Sequence, residues 1–479
     1  MTLIPMPASI RISTGGFTIT DQTTIIIQNS EPEMFALGNL LREYIEQHTG
    51  LKLEVTTEGQ EPGSIQLQLN ENMTMDAEGY RLVIATDSVH LDANYPAGLF
   101  YGLQTLRQLL SMHPARSAPF HLPAASIQDS PRYRWRGAML DVARHFFRVE
   151  DVKRFVDLIS HYKLNRLHLH LTDDQGWRIE IKSWPKLTEI GGRTQVNGGG
   201  GGFYTQEQYR EIVDYARSRY VMIVPEIDTP GHTNAALASY PELNVSEEAT
   251  DLYEGTTVGF SSLSINMEIT YRLLDDVVRE LAALTPGPYI HIGGDEARST
   301  PEPEYRQFIK RCQQIVFAHH KIPIGWSEIG DAELDSRTIA QAWVGAGYQG
   351  AKEQGCKVIL SPANKTYLDM KYDASTPIGL DWAGLISVKD SYDWEPGSYI
   401  EKLEESEILG LEAPLWTETV VTMKDIEFMA FPRLAGLAEL AWSPKDRSWE
   451  EYKGRLAKHG KHMEALGISF FKSPDVEWE

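Results

Sequence analysis

The chain has 479 residues, 42% of them hydrophobic and 10% aromatic, which is enough apolar side chain for two or three domains with large cores. Its 45 Lys and Arg stand against 67 Asp and Glu, a net charge of -22, which repels nucleic acid and anionic membrane surfaces, and no local basic patch offsets it. Two cysteines, Cys312 and Cys356, exclude a disulfide framework and allow at most one bridge. The start Met1-Thr2-Leu3-Ile4-Pro5 has neither a basic nor an apolar leader segment, and no stretch is long enough to insert in a membrane. The expectation is a cytoplasmic protein, although a secreted chain whose signal had been removed would read the same.

In chain order, Phe17–Thr20 and Thr24–Ile27 read as strands, Pro32–Thr49 as a helix and Ser64–Leu69 as an alternating strand. Tyr80–Ile84 and Val89–Leu91 pattern as a hairpin, and Tyr95–Ser111 carries apolar residues at helical spacing. Nothing in this compact α+β unit looks catalytic. The turn-rich Ser130-Pro131 marks its end, so residues 1–130 form a small N-terminal domain and 131–479 the catalytic one, including a C-terminal helix.

Beyond the boundary, short apolar runs alternate with amphipathic stretches, the pattern of parallel strands joined by helical crossovers. The runs are Arg136–Asp141, Arg166–Leu171, Val221–Pro225, Tyr289–Gly293, Pro323–Trp326, Ile339–Trp343, Lys357–Ser361 and Ile408–Pro414. Eight such strands close a (β/α)8 TIM barrel. Helices are clear at 150–162, 206–218, 267–284 and 303–319 and short at 346–354, while the last crossover is expected to be irregular. Asn197–Phe203, rich in glycine, lacks the residues of a phosphate loop and reads as a flexible rim loop.

The catalytic groups of such a barrel lie at the C-terminal ends of its strands. There Ile292-Gly293-Gly294-Asp295-Glu296 places two carboxylates side by side. An Asp-Glu pair also fits a helix cap followed by a first-turn acid. Glycosidases set two carboxylates across the scissile bond. Adjacent residues do not easily reach opposite faces of one sugar, which leaves room for a substrate acetamide as the nucleophile. His168 and His170 share one face of their strand by its period of two; a zinc pair and packed core histidines are the two readings.

Taken together, Asp141–Phe146, His168–Trp177, Pro225–His232, the Asp295-Glu296 pair, Gly325-Trp326, Ala342-Trp343, Tyr367-Leu368-Asp369 and Gly410–Glu418 closely resemble the family 20 glycoside hydrolases, the β-N-acetylhexosaminidases. The resemblance runs from about residue 130 to the C-terminus and is weaker before it. It implies an exo-acting, retaining hydrolase of terminal β-linked N-acetylhexosamine (GlcNAc or GalNAc) that needs no cofactor and no metal. On the family pattern Glu296 is the general acid, with a pKa raised by its surroundings, Asp295 orients the acetamide N–H, and Tyr367 binds its oxygen. Arg144, Asp369 and Glu418 match sugar-hydroxyl ligands, and Trp326, Trp343 and Trp416 match an aromatic box around the acetamido group. Trp382 is a candidate for stacking the next sugar, and Asp173 and His232 match a pair supporting the acid. A lacto-N-biosidase of the same family and a non-catalytic carbohydrate-binding barrel are the alternatives.

Overall fold

A computed structural model describes residues 2–59, 62–111 and 119–479. By its contacts the chain divides into two compact units: the residues up to Arg134 with Ser160–Lys163 and Ala438–Glu479, and Trp135–Ile159 with Leu164–Leu437. The C-terminal helix Trp449–Ala465, expected with the barrel, thus groups with the N-terminal unit. The cause is local: Arg455 of that helix is buried and donates to the Glu439 carboxylate at 2.6 Å and to the Leu3 carbonyl at 2.8 Å.

In this first unit a seven-stranded mixed sheet has the order β1(Ser9–Ile19), β7(Phe120–Asp129), β5(Tyr80–Ile84), β6(Ser88–Ala93), β4(Ser64–Leu69), β2(Thr24–Ile27), β3(Glu54–Thr56). The expected hairpin is present, β5 and β6 pairing antiparallel from Tyr80↔Ala93 to Ile84↔Val89. Helices Pro32–Thr49 and Pro96–Leu110 pack on the sheet. The first begins with Pro32 at a position where a missing N–H costs nothing and ends on Gly50 in the left-handed region.

The second unit is the expected barrel. Eight parallel strands close on themselves in the order β12(Met222–Glu226), β13(Tyr289–His291), β14(Ile322–Trp326), β15(Ile339–Ala342), β16(Lys357–Leu360), β17(Ile408–Leu415), β8(Trp135–Asp141), β9(Arg166–His170). A two-strand hairpin, β10(Thr172–Asp173) and β11(Gly176–Trp177), follows β9 at the barrel mouth. Strands buried on both faces are nearly continuous apolar runs, which is why their bounds were readable to within one or two residues. The crossover from β16 to β17 is irregular, with only the short helices Ala363–Thr366, Val388–Tyr392 and Pro396–Tyr399. The glycine-rich segment is tied down: the buried Arg178 guanidinium donates to the carbonyls of Gly192 at 3.2 Å, Thr194 at 2.7 Å and Gly202 at 3.1 Å. Cys312 and Cys356 are buried free thiols. Among the described residues no helix is long and apolar enough to cross a membrane.

Candidate active site

Every candidate residue named above lies in the barrel unit, at or just beyond the C-terminal end of a strand or in the last crossover. Arg144 follows β8, Asp173 forms the end of β10 after β9, His232 follows β12 and the Asp295-Glu296 pair follows β13. Trp326 closes β14, Trp343 follows β15, Tyr367 and Asp369 follow β16, and Trp416 and Glu418 follow β17. Trp382 comes from the crossover between β16 and β17. One cavity of about 430 Å³ at this mouth is lined by all of these except Asp173 and Trp326.

Asp295 and Glu296 do not start a helix; the next one begins only at Glu302. They lie on a loop that turns through Gly293 and Gly294, at φ of +69° and +100°. Gly293 is required there, because a Cβ would lie 1.7 Å from Asp228 Oδ1. The close approach is thus made by a buried carboxylate, which also accepts from the Gly294 N–H at 3.2 Å. Glu296 itself has φ +45°, a left-handed conformation that strains a side-chain-bearing residue. Holding that strain requires a surrounding structure that over-determines the turn, as expected at a functional position.

One imidazole nitrogen faces both acids. His232 Nε2 lies 3.5 Å from Asp295 Oδ2 and 3.6 Å from Glu296 Oε2, while its Nδ1 faces Asp173 Oδ1 at 3.1 Å. Burial disfavours a charged ring, but Asp173, Asp228 and Asp295 outweigh it and raise the His232 pKa well above the usual value. Asp173 also pairs with Arg144 Nη2 at 2.9 Å. Burial pushes its carboxyl up, yet Arg144, His232 and His170 hold it well below the usual range.

The expected elevation of the Glu296 pKa is corrected by the structure. Burial does push the carboxyl up, but the nearby His232, with Arg298 and Arg144, brings it below its ordinary value. Arg298 Nη2 contacts Glu296 Oε1 at 2.6 Å from an exposed position. Asp295 is the acid of the pair that is raised, by burial and by the charges of Glu226 and Glu296, against the opposing pull of His232. Its buried neighbour Asp228 is raised further, by burial and by Asp295.

Around this pair the aromatic residues enclose a slot. Trp343 and Tyr367 stack with their rings 8° from parallel and centroids 6.1 Å apart. Trp326 and Trp416 lie 5.7 Å apart, and Tyr367 is 6.3 Å from Trp416. Trp382, 53% exposed, stands edge-on to Trp343 and Tyr367 at 6.0 and 5.8 Å. A half-exposed ring beside a buried box is placed to meet a ligand that extends past the slot.

In the same cavity, Arg144 and Asp369 are buried and Glu418 beside them is half-buried. Both Asp369 oxygens and Glu418 Oε2 lack a side-chain partner. Burial and the charge of Glu418 raise the Asp369 pKa well above its ordinary value, and burial raises Glu418 against the pull of Arg144. Buried acceptors left unpartnered are costly unless a ligand supplies donors. Neighbouring sugar hydroxyls are such donors.

His168 and His170 are core histidines with their ring nitrogens turned to carboxylates. His168 Nδ1 meets Glu412 Oε1 at 2.8 Å and its Nε2 lies 3.0 Å from Glu226 Oε2. His170 Nε2 meets Asp173 Oδ2 at 2.7 Å and its Nδ1 contacts Glu226. Four residues were missed as parts of the site: Glu226, Asp228, Arg298 and Glu328. Glu328 receives Trp343 Nε1–H at 2.9 Å, and burial with the charge of Asp295 pushes its pKa up to about 7. A signal existed for the first two, since they are acids in an otherwise apolar strand and its exit, Pro225-Glu226-Ile227-Asp228.

Comparison with known proteins agrees with this geometry. The family model for glycosyl hydrolase family 20, catalytic domain, matches residues 133–445, and that for glycosyl hydrolase family 20, domain 2, matches residues 1–130. The beta-N-acetylhexosaminidase of Cellulomonas fimi is 42% identical over 99% of this chain and 97% of its own length. The structure of the GH20 beta-N-acetylhexosaminidase from Streptomyces coelicolor is similar at a TM-score of 0.97 and 48% identity, covering 100% of this chain and 99% of that one. A mutant Streptomyces plicatus beta-hexosaminidase in complex with product (GlcNAc) is similar at a TM-score of 0.96 and 48% identity, covering 100% of this chain and 98% of the other. The chain belongs to glycosyl hydrolase family 20.

Proposed function

We propose that this glycoside hydrolase, a β-N-acetylhexosaminidase, releases single terminal β-linked N-acetylhexosamine residues from the non-reducing ends of glycans, with the substrate's own acetamide as the nucleophile. The observation that carries the mechanism is the sharing of His232 Nε2 by Asp295 and Glu296. Two carboxylates that face one nitrogen belong to one side of the slot, which leaves neither to attack from the other face. Glu296 then protonates the glycosidic oxygen as the acetamide oxygen bonds to C1 and the leaving alcohol departs. Asp295 accepts the acetamide N–H and stabilises the positive charge that develops on the oxazolinium ion, while the Tyr367 hydroxyl donates to the acetamide oxygen. Water next adds to C1 as the bond from C1 to the acetamide oxygen breaks and the acetamide is restored, the water's proton passes to Glu296, and the sugar leaves with its configuration retained. Asp369, Glu418 and Arg144 bind the outer hydroxyls of the terminal ring, and the burial of Asp369 and Arg144 favours a pocket for one sugar over the open cleft that a lacto-N-biosidase needs.

The test is the configuration of the first product, read by NMR. Retention is expected, together with slower turnover when N-acetyl is replaced by N-trifluoroacetyl, and near inertness of simple β-glucosides. Inversion, or a sugar trapped covalently on a protein carboxylate, would overturn the mechanism. Asp295→Asn is expected to cost a few kcal/mol of transition-state stabilisation, the scale of one preorganised electrostatic partner.

A further inference from the structure

Beneath the slot, on the barrel axis, one buried carboxylate holds four side chains at once. Glu226, the last residue of β12 and fully buried, receives Trp326 Nε1–H on Oε1 at 2.9 Å, with His291 Nδ1 also 2.9 Å from that oxygen. Its other oxygen contacts His170 Nδ1 and lies 3.0 Å from His168 Nε2. The His170 ring continues the connection, donating through Nε2 to Asp173 at 2.7 Å and standing edge-on to Trp416 at 4.9 Å. Glu226 is therefore one contact from Trp326, two from Asp173 and Trp416, and three from Arg144 and His232, yet it does not line the cavity.

Packing against Met139, Tyr367 and Trp416 encloses the Trp326 ring, and the hydrogen bond of its Nε1–H to Glu226 selects the orientation of the indole within that enclosure. With Trp326 Nε1–H donating to one Glu226 oxygen and His170 Nδ1 meeting the other, both oxygens at position 226 have to accept. An amide of the same shape has one accepting oxygen and so fails at least one side of the network. Burial would favour the neutral acid, but His170, His291 and His168 hold the Glu226 pKa well below the ordinary range.

We propose, resting on the reading of Trp326 as a wall of the acetamide pocket, that Glu226 is a positioning residue of the hydrolysis. It sets the pocket's acyl-size selection by fixing Trp326 and holds Trp416 and Asp173 in register through His170. The residue touches no substrate; it acts through Trp416, which lines the cavity, and through Trp326, which packs against Trp416 outside that lining.

The experiment compares kcat/KM for aryl β-glucosaminides carrying N-acetyl and N-butyryl groups, in the wild-type chain, Glu226→Gln, Trp326→Phe and the double variant. The wild-type chain is expected to prefer acetyl by roughly tenfold or more for each added methylene. In Glu226→Gln the preference falls by about tenfold, with kcat on the N-acetyl substrate falling more than KM rises. Trp326→Phe, which keeps a ring but removes the N–H, loses preference to a similar extent, and the double variant loses little more than either single one. A merely structural role for Glu226 lowers the amount of folded enzyme without changing the ratio between two substrates. If the wild-type chain shows no acyl preference, the acetamide-pocket reading fails and the proposal falls with it. If the wild-type chain discriminates and folded Glu226→Gln discriminates equally well with an unchanged kcat, only the role of Glu226 is overturned. Should Glu226→Gln not fold, Glu226→Asp decides, since it keeps the charge and the Trp326 ring but withdraws the acceptor from Nε1–H: loss of the preference in folded enzyme supports the anchor, and full retention overturns it.

Discussion

At Glu296 the chain sets its candidate proton donor among His232, Arg298 and Arg144, whose charges outweigh the burial that would otherwise favour the protonated form. Of these Arg298 is the exposed partner. Removing it in Arg298→Gln takes away stabilisation of the ionised carboxylate, so the Glu296 pKa rises. The alkaline limb of the kcat/KM–pH profile, which reports the acid in the free enzyme, is then expected to move to higher pH. Because Arg298 is screened by solvent, the movement should be about one pH unit or less. An unmoved or downward-moved limb would show that Arg298 does not govern the acid. A companion measurement uses leaving groups: Glu296→Gln is expected to lose far more activity on alkyl or sugar leaving groups than on activated aryl glycosides, since an acidic leaving group needs little help from a proton donor. Equal losses on both would remove Glu296 from that role.

Among the elements, the turn from β13 through Gly293 to Glu296 is where backbone and chemistry are most closely joined. Gly293→Ala would have to accept φ +69° and displace Asp228 Oδ1, which lies 1.7 Å from the added Cβ. The expected cost is about 2–4 kcal/mol of stability, with kcat lowered on the order of 100-fold as the Asp295-Glu296 pair shifts. Thermal unfolding and steady-state kinetics check the two effects separately. This turn also shows what could be read in advance. The strands were legible because a buried parallel strand needs an unbroken apolar run, and the site positions were legible because a barrel gathers its strand ends at one mouth. The acidity of Glu296 was not legible, because it depends on Arg298 folding back across a left-handed residue only two positions away. Nor was the function of Glu226, since its partners His168, His170, His291 and Trp326 come from three other strands. The membership of the C-terminal helix depended on Arg455 meeting Glu439 and Leu3, a pairing without any local pattern.

For the whole molecule, acid stability is set by a second group of histidines. His161, His459 and His462 are buried in the unit that carries the N-terminal sheet, with His161 Nε2 2.7 Å from His462 Nε2 and His459 Nε2 3.0 Å from the Tyr162 hydroxyl. Burial, then the charge of Arg107 for His161 and the ring of His459 for His462, pushes both pKa values well below the ordinary one; burial brings His459 down to about 4. An unfolded histidine titrates near pH 6.5, so between about 6.5 and 4 the unfolded chain binds the extra protons and stability falls as pH falls. The loss from His459 alone is on the order of 3 kcal/mol by pH 4. Below the unfolded pKa the contribution of the raised His168, His170 and His232 is already complete, so melting temperatures measured from about pH 6 down to 4.5 should fall steadily, and His462→Leu should flatten that fall; an equal slope in the variant would place the acid sensitivity elsewhere.

Closure of the barrel has a consequence for how activity arises in time. The last strand, β17, is bound to the first, β8, not only by pairing but by catalytic-end contacts: the Thr417 N–H donates to Asp141 Oδ2 at 3.1 Å and the Thr417 carbonyl faces His145 Nδ1 at 2.6 Å, joining positions more than 270 residues apart. Arg144 and Glu418 are neighbours of those same contacts. During synthesis the site therefore stays incomplete until the final strand has left the ribosome and paired with the first, the most distant loop closure in the barrel. Turnover thus reports completion of the ring itself: a chain stalled before residue 408 can hold seven barrel strands and most of its helices and still hydrolyse nothing.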